Sequence, residues 1–387
     1  MSTTYTIRTY TSAGEPTHVL TDFLGLAYSR RVNEVGSCQF VLAGEHAAVD
    51  NLDPDDGPLV GVWRRDSQAS GGWRVEFAGR VRGREQSTDE SGVGRCTVTA
   101  IDGIGLLAMA TSGYYARKGG QTYWPSSPAE TVAKQLVQFN LTSSGTVSSG
   151  RRTAVTLSGV SIEADGAGGT VITFSCAWQN VLDALRSVSA LGNGDFDMVR
   201  TAPGAWEFRW YDGQRGSDKR ASVVFALNYG NMARPRLVQN SMNEATVAIV
   251  GGQGEEGART VVVVFGPNYR PNTNAGEIFV NASHLGTTSE LIATGQARLN
   301  AIRATQDLDF EAIQTPGSRY VEHYDLGDLV TARYRSYSTT KKIVGVNVEL
   351  NNSGDERIAI DTSTVEMIFH LAVSDAVTVG EAKSVTL

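Results

Sequence analysis

The sequence has few charged residues, little positive charge and no long apolar run. Charged residues make up 19% of 387 positions, and 41 acidic residues against 34 basic ones give a formal net charge of −7. This balance argues against specific nucleic-acid binding and against docking on anionic membranes, which both require a basic surface. No apolar run approaches the ~20 residues that a membrane helix needs. The N-terminus also lacks a signal peptide's basic and apolar regions, so we predict no membrane insertion.

Cysteines and catalytic signatures are also scarce. Cys38, Cys96 and Cys176 are odd in number and have no C-x-x-C spacing, which predicts small buried residues in a protein made in a reducing cytoplasm. The G-x-S-x-G, H-E-x-x-H and G-x-x-x-x-G-K-[ST] patterns do not occur. We therefore predict a protein that is not an enzyme, with no catalytic, cofactor-binding or metal-binding residues.

Glycine is abundant, at 42 residues, and together with many Thr, Ser and Val it predicts a strand-rich chain with many turns. The length suits two or three domains. Residues 1–110 read as consecutive short strands of a small antiparallel barrel or sandwich. In the clearest strand, Trp73–Arg82, Trp73 and Phe77 belong to the predicted dry face and Glu76 to the wet face.

Residues 111–230 predict a mixed α/β region. Ser127 and Glu130 have the spacing of a capping box for a helix that ends near residue 140. Residues 141–152 are a polar loop, and Val171–Ser175 is a strand. A second helix is predicted over Ala177–Leu191, with Trp178 at the start of its apolar stripe.

Residues 231–370 are again strand-rich, and 371–387 form a C-terminal tail. One helix is predicted over Ser289–Arg303, with Thr287 and Glu290 as a capping box. Its apolar stripe includes Ile292, and Gly295 allows a close approach. The last residues, 365–387, predict one more strand and a loose tail. The predicted fold class is thus α+β and mostly β.

A G-x-G-x-x-G pattern is formed by Gly252, Gly254 and Gly257 after an apolar run. A dinucleotide-binding turn must lead into a helix whose N–H groups hold the pyrophosphate. Here four valines follow, and β-branched residues favour a strand. Glu255 and Glu256 would also repel phosphates. The stretch predicts two strands joined by a flexible acidic loop.

Two further motifs have a functional and a structural interpretation. Asn51–Gly57, NLDPDDG, resembles a calcium loop but places Leu52 and Pro54 where oxygen ligands are needed, which favours a turn. The alternating Trp206, Phe208 and Trp210 could stack sugar rings together with the Trp73 face, making a carbohydrate-binding module. We favour the interpretation that this aromatic row is the buried face of a strand.

The densest ionisable cluster is Glu322, His323, Asp325 and Asp328. These residue types could serve a wall-degrading enzyme, with Glu322, His323 and Asp328 as its site. In the strand predicted here, however, Glu322 and His323 point to opposite faces, and residues 325–328 are turn-like. We favour a structural turn, with a strand on each side within residues 320–334.

The order of four stretches resembles the tail-tip hub proteins of long-tailed phages (siphoviruses), a family that includes tail-associated, minor tail and Gp37-like proteins. The stretches span about residues 20–362. They are Ser29–Leu42; Arg64–Asp66 with Phe77–Val81 and Ile101–Gly103; Val250–Glu255 with Arg259; and Tyr324–Val330 followed by Ile343–Leu350.

The resemblance implies two barrel-like β domains, at 1–110 and 231–370, flanking the mixed region. It implies a homotrimeric ring at the virion's tail tip, in which two barrels per subunit mimic sixfold symmetry. The implied partners are the distal tail protein, the tape-measure protein and receptor-binding or other tail-tip proteins. Because the chain ends about 25 residues after the last matched strand, we expect no appended lytic or receptor-binding domain.

Overall fold

The computed structural model of the chain describes residues 3–66, 72–113, 122–143, 159–351 and 354–364. Strand predominates, at 49% against 17% helix, so the α+β, mostly β class is confirmed. The described residues divide into two compact units. Unit 1 comprises residues 3–233 and 311–364, and unit 2 comprises residues 234–310.

The strands and helices follow the predicted succession of strand-rich, mixed and again strand-rich regions. The strands are β1 (Thr3–Tyr10), β2 (Pro16–Leu20), β3 (Gly25–Arg31), β4 (Ser37–Ala43), β5 (Leu59–Asp66), β6 (Arg74–Thr88), β7 (Gly94–Asp102), β8 (Thr122–Pro128), β9 (Val160–Ile162), β10 (Val171–Cys176), β11 (Gly194–Ala202), β12 (Ala205–Asp212), β13 (Val224–Ala226), β14 (Met232–Asn240), β15 (Val247–Gly251), β16 (Val261–Phe265), β17 (Glu277–Asn281), β18 (Thr305–Ala312), β19 (Leu329–Tyr334), β20 (Tyr337–Leu350) and β21 (Glu356–Thr364). The helices are α1 (Ile104–Ala108), α2 (Ala129–Leu141), α3 (Val181–Gly192) and α4 (Thr288–Ala301).

A sheet of 11 strands is the frame of unit 1. Its order is β13-β19-β20-β3-β4-β7-β6-β5-β1-β2, with β21 also paired to β20. The pairing of β3 with β20, in which Arg30 lies opposite Val346, joins the regions 1–110 and 231–370 in one sheet. Among the described residues no pairing links β13 to β2, so the strand order is open at both ends. The domain boundaries at 110, 230 and 370 stay predictions.

Strand β6 follows the predicted alternation only in part. Phe77 and Val81 are buried, as expected for the dry face of a sheet. Glu76, predicted on the wet face, is only 4% exposed, so that prediction was wrong. Its carboxylate lies beside Arg30 and Tyr320. These residues are distant in sequence, and strand periodicity carries no information about them.

A second core in unit 1 lies among α2, α3 and the strands β8 to β12. Strands β8 and β10 pair with each other, while β11, β12 and β9 form a three-stranded sheet. The buried aromatic face predicted for β12 is confirmed, because its two tryptophans are each 6% exposed. The largest members of this core are Trp124, Phe174, Phe196, Trp206, Phe208 and Trp210.

The first helix of this region begins differently from the prediction. The Ser127 hydroxyl donates to the carbonyl two residues earlier, and α2 starts after Pro128 without a side-chain cap. Glu130 closes no capping box. Its carboxylate instead accepts hydrogen bonds from the N–H groups of Gly166 and Gly168, at 3.1 and 2.6 Å. A tertiary contact therefore replaces the local cap that the sequence favoured.

Helix α3 begins at Val181, four residues after the predicted start. Its N-cap is Asn180, whose side-chain oxygen accepts the Leu182 N–H at 3.0 Å, as N-cap asparagines do. Trp178 was predicted on the apolar stripe, but it precedes the helix, has a φ of 56° and is 56% exposed. The rest of the stripe is buried: Val181, Leu182, Leu185 and Val188.

Unit 2 contains the three-stranded sheet β16-β15-β17 with α4 packed on one face, and β14 paired with β18. The capping box of Thr287 and Glu290 is confirmed. The close approach at Gly295 is also confirmed, because a Cβ there would lie 2.8 Å from side-chain atoms of Val250 and Val264. Ile292, predicted on the buried stripe, is 44% exposed.

The three cysteines are free and buried, as predicted. Among the described residues, no helix has both the length and the apolarity to cross a membrane. The predictions for residues 144–152 of the polar loop and for residues 365–387, including the 371–387 tail, concern residues outside the described part of the chain.

Candidate functional site

The glycine-rich loop connects two antiparallel strands, as predicted. Strand β15 precedes it and β16 follows, with Ile249 opposite Val263. The Arg259 guanidinium donates to the carbonyl oxygens of Gly251 and Gly252, at 3.0 and 3.1 Å. A Cβ at Gly252 would lie 2.7 Å from the Leu291 side chain. The loop is therefore packed against unit 2's own core and leads into a strand, which is not the geometry of a dinucleotide-binding turn.

The segment Asn51–Gly57 is a turn, as predicted. The Asp53 carboxylate accepts the Asp55 N–H at 3.0 Å and pairs with Arg84 at 2.6 Å. Gly57 ends the turn with a φ of 62°, a conformation that glycine adopts without strain. Among the residues that the structure describes, no group of His, Cys, Asp and Glu side chains is arranged to hold a metal ion.

The predicted ionisable cluster lies in an open cleft of about 390 Å³ in unit 1. Residues 321–323 form a turn between isolated bridge residues, so the strand predicted at the start of 320–334 was wrong, while β19 confirms the second strand. The cleft brings together the three predicted acids and the histidine with cationic side chains from elsewhere. Its ionisable lining residues are Arg30, Arg74, Tyr211, Arg215, Lys219, Glu322, His323, Tyr324, Asp325 and Asp328.

Asp325 is held between two arginines. Its carboxylate accepts from Arg30 at 2.8 Å and also pairs with Arg74. Burial by itself would raise the pKa of Asp325, but the two guanidiniums outweigh it and hold that pKa at about 2. Asp325 is thus an ionised carboxylate at neutral pH and no proton donor.

The other three members of the cluster also make local bonds. The Asp328 carboxylate accepts the N–H groups of Ser217 and Asp325, at 2.6 and 2.8 Å. Glu322 pairs with Arg319 at 3.2 Å, and the Nδ1 atom of His323 accepts the Arg319 N–H at 3.1 Å. These hydrogen bonds and ion pairs stabilise the turn that contains the cluster, which agrees with the prediction of a structural turn.

A buried ionic network next to this cleft was missed by the sequence reasoning. The Tyr320 hydroxyl donates to Glu76 at 2.8 Å, and Arg30 contacts both Tyr320 and Glu76. A neighbouring set follows the same pattern, since Arg64 pairs with Glu356 at 2.7 Å. Tyr320 and Glu76 are 244 residues apart, and Arg64 and Glu356 are 292 residues apart, and no sequence signal indicated either pair.

Asp102 is a further functional candidate that the sequence reasoning missed. Its carboxylate accepts the N–H groups of Gly36 and Ile104, at 2.8 and 3.1 Å. Burial, with a smaller contribution from the nearby Asp197 charge, raises its pKa to about 7. The sequence feature that could have indicated Asp102 is its position in Ile101–Gly103, one of the stretches that resemble the phage hub family.

The candidate sugar-stacking aromatic rings are separated by the fold. Trp206 and Trp210 are each 6% exposed inside the second core of unit 1, whereas Trp73 precedes β6 and is 39% exposed. A ring must present a face to stack on a sugar, and the rings of Trp206 and Trp210 face protein atoms instead. The predicted buried face is the interpretation that the structure supports.

Three solved structures share this fold. A tail protein from Neisseria meningitidis MC58 superposes with a TM-score of 0.53 at 13% identity, over 94% of this chain and 97% of that chain. The 43 kDa tail protein of prophage MuSo2 from Shewanella oneidensis gives 0.55 at 12% identity, over 93% and 97%. A chain of the lidded Francisella PdpA-VgrG complex gives 0.54 at 10% identity, over 94% and 53%.

These identities are low, so the likeness concerns the fold, which is that of phage tail and baseplate structural proteins. A comparison with curated proteins gives no match. The model of one protein family, however, matches residues 6–361, nearly the whole chain. The chain therefore belongs to the family of Siphovirus ReqiPepy6 Gp37-like proteins.

Proposed function

We propose that the chain is a structural hub subunit at the tail tip of a long-tailed phage. Three copies form a ring that joins the tail tube to the adsorption proteins and lets DNA pass. The subunit is assembled in the host cytoplasm and resides in the virion. The observation that carries this proposal is the family match over residues 6–361, joined to a fold shared with tail proteins over more than nine-tenths of the chain.

The frame of unit 1 supports a load-transmitting role. Strand β3 near the start of the chain pairs with β20 near its end, and the pairs of Arg30 with Asp325 and Arg64 with Glu356 connect the same regions. A sheet joined in this way resists separation of its two ends. The net charge of −7 supports DNA passage, because an acidic surface repels a transiting genome.

The proposed partners are further copies of the chain, the distal tail protein, the tape-measure protein and receptor-binding or other tail-tip proteins. The shared fold with prophage tail proteins and with a VgrG complex component supports assembly into a larger particle. Binding to specific nucleic-acid sequences is not part of the proposal.

We also propose that the protein is not an enzyme. In the candidate cluster Asp325 and Asp328 hold turn N–H groups and arginines, and no described contact pairs His323 with a nucleophile. If the protein is structural, Glu322→Ala and His323→Ala will leave host cell-wall digests unchanged, because the wild type itself will release no wall fragments. Wall hydrolysis that the wild type performs and these variants lose would establish the enzyme alternative.

Mass measurement tests the ring. Multi-angle light scattering of the purified chain, alone and with the distal tail protein, is expected to show a trimer in at least one of the two samples. Cryo-electron microscopy of tails carrying a tagged chain is expected to show the tag at the tip, with threefold symmetry. A strict monomer in both samples, together with a tag along the tube, would reject the hub assignment.

A further inference from the structure

Helix α4 covers one face of the three-stranded sheet of unit 2, and most side chains of the other face are exposed, although Val247 on that face is 4% exposed. Strand β15 is central, antiparallel to β16 and parallel to β17. Val250, Val264 and Leu291 belong to the small core under α4. Because side chains alternate along a strand, the intervening residues of all three strands point to the opposite face.

That opposite face is apolar at its centre. Phe265 is 54% exposed and Phe279 56%, and Ile249 lies between Val263 and Phe279 in one cross-strand row. Exposed apolar patches of this kind mark interaction sites. We call it the outer sheet face; its members are Ile249, Val261, Val263, Phe265 and Phe279.

Opposite charges lie at the two ends of the outer sheet face. Glu277 is exposed at the end where Phe265 lies, because Val247 is the cross-strand neighbour of both. The Arg259 guanidinium lies at the other end, 5.3 Å from the Phe279 ring centroid. Four residues along β15, from Val247 to Gly251, separate the two end rows, which is about 13 Å at the rise of a strand.

Neither end charge has an ion-pair partner among the residues that the structure describes. Arg259 donates to the carbonyl oxygen of Gly251 and to the Asn281 side chain, which are neutral groups, and Glu277 makes no ion pair there. The described residues therefore leave both end charges available to oppositely charged groups of a second molecule.

We propose that the outer sheet face packs against the same face of a second copy of this chain, about a twofold axis. A twofold axis that lies in the plane of the contact and runs across the strands reverses the strand direction between the two copies, so each end of the face meets the opposite end of the partner's face. Arg259 of one copy then lies against Glu277 of the other, twice per contact, on both sides of the apolar centre. Two sheets stacked in this way lie about 10 Å apart.

The charge balance of unit 2 favours a second copy over a strongly charged partner. Residues 234–310 contain six arginines, no lysine and seven acidic residues, a formal charge of −1. Two copies of unit 2 therefore carry little net charge to oppose their contact. Five apolar side chains bury less surface than the ~800 Å² per partner of a standard interface. The proposed contact is therefore weak, and the fraction of associated chains depends on concentration. This twofold contact is separate from the proposed trimeric ring and does not depend on that ring.

Analytical ultracentrifugation over a concentration series tests the contact in the full chain. Wild type is expected to double its mass as concentration rises, from monomer to dimer or from trimer to hexamer. Glu277→Arg places two cations against each other, and Val263→Lys places charges in the apolar centre. Each is expected to raise the dissociation constant at least tenfold while circular dichroism stays unchanged. Charge exchange, with Glu277→Arg and Arg259→Glu in one chain, is expected to restore doubling.

Ile292→Lys is the matched control, because Ile292 is exposed on α4, which covers the inner face of the same sheet. It is expected to leave the doubling unchanged. The proposal is overturned if wild type shows no doubling, or if both folded outer-face variants double like wild type. Equal loss in the Ile292→Lys control also overturns it. So does a Val263→Lys variant that keeps doubling but loses a tail partner, since that result would assign the face to the other protein.

Discussion

The two compact units place charge and apolar surface in opposite ways. Unit 1 buries charged side chains, with Glu76 at 4% exposure between Arg30 and Tyr320. Unit 2 has a small core under α4 and leaves Phe265 and Phe279 more than half exposed. Unit 1 pairs its buried charges with one another, whereas unit 2 exposes apolar surface that burial would stabilise.

The difference separates two kinds of structural role. A buried ion pair adds little net stability over apolar packing, but removing one partner is costly because the other charge stays buried. The network of unit 1 therefore ties distant strands to one arrangement. An exposed apolar face contributes nothing to the isolated unit and gains free energy only when covered. Unit 1 is thus the frame, and unit 2 carries the association surface.

The largest expected effect comes from breaking the buried network. Arg30→Met is expected to lower the free energy of unfolding by about 3 kcal/mol, because it removes the buried one of the two arginines that pair with Glu76 and Asp325 and leaves only the more exposed Arg74. Urea denaturation measures it. Arg31→Met is the control: its pair with Asp361 is solvent-exposed at 32% and 45%, and such pairs contribute under about 1 kcal/mol. Equal losses in both variants would contradict the larger cost assigned to the buried network.

The second effect is a pH dependence in unit 1. The folded pKa of Asp102, about 7, lies above the unfolded value of about 4. Its contribution is therefore fully present below pH ~4 and lost as pH rises through 7, at a cost of about 2–4 kcal/mol. Melting temperature is expected to fall as pH rises from about 4 to 7, the interval between the unfolded and folded pKa values. Asp102→Asn is expected to flatten this profile, and an unchanged slope would contradict the assignment.

The smallest effect concerns the core of unit 2. Gly295→Val would force side-chain atoms against Val250 and Val264, which lie 2.8 Å from a Cβ at that position. Overpacking of this kind costs about 1–3 kcal/mol. Ala297→Val, exposed on the same helix, is expected to cost only about 0.5 kcal/mol of helix propensity. Hydrogen exchange should speed up in β15 and β16 for Gly295→Val alone, with β3 and β20 unaffected; acceleration in unit 1 would show that the two units unfold together.

Local structure could be predicted from the sequence where a few neighbouring residues determine it. The capping box of Thr287 and Glu290 formed as its spacing predicts, and the four valines of β16 made a strand. The same reasoning failed at Glu130, whose carboxylate takes the N–H groups of a loop more than 30 residues away. A local motif predicts a cap only when no tertiary partner competes for the side chain.

The sequence by itself determined the mostly β class, the glycine loop between two strands, the buried aromatic row of β12 and the family resemblance. The first three depend on hydrophobic periodicity and turn chemistry, which are local. The resemblance depends on the order of motifs along the chain. Only the tertiary structure decided that β3 pairs with β20, that Glu76 is buried and that Glu277 and Arg259 lie at opposite ends of one exposed face. Those facts depend on strand register and on contacts between distant residues, which alternation along a single strand does not encode.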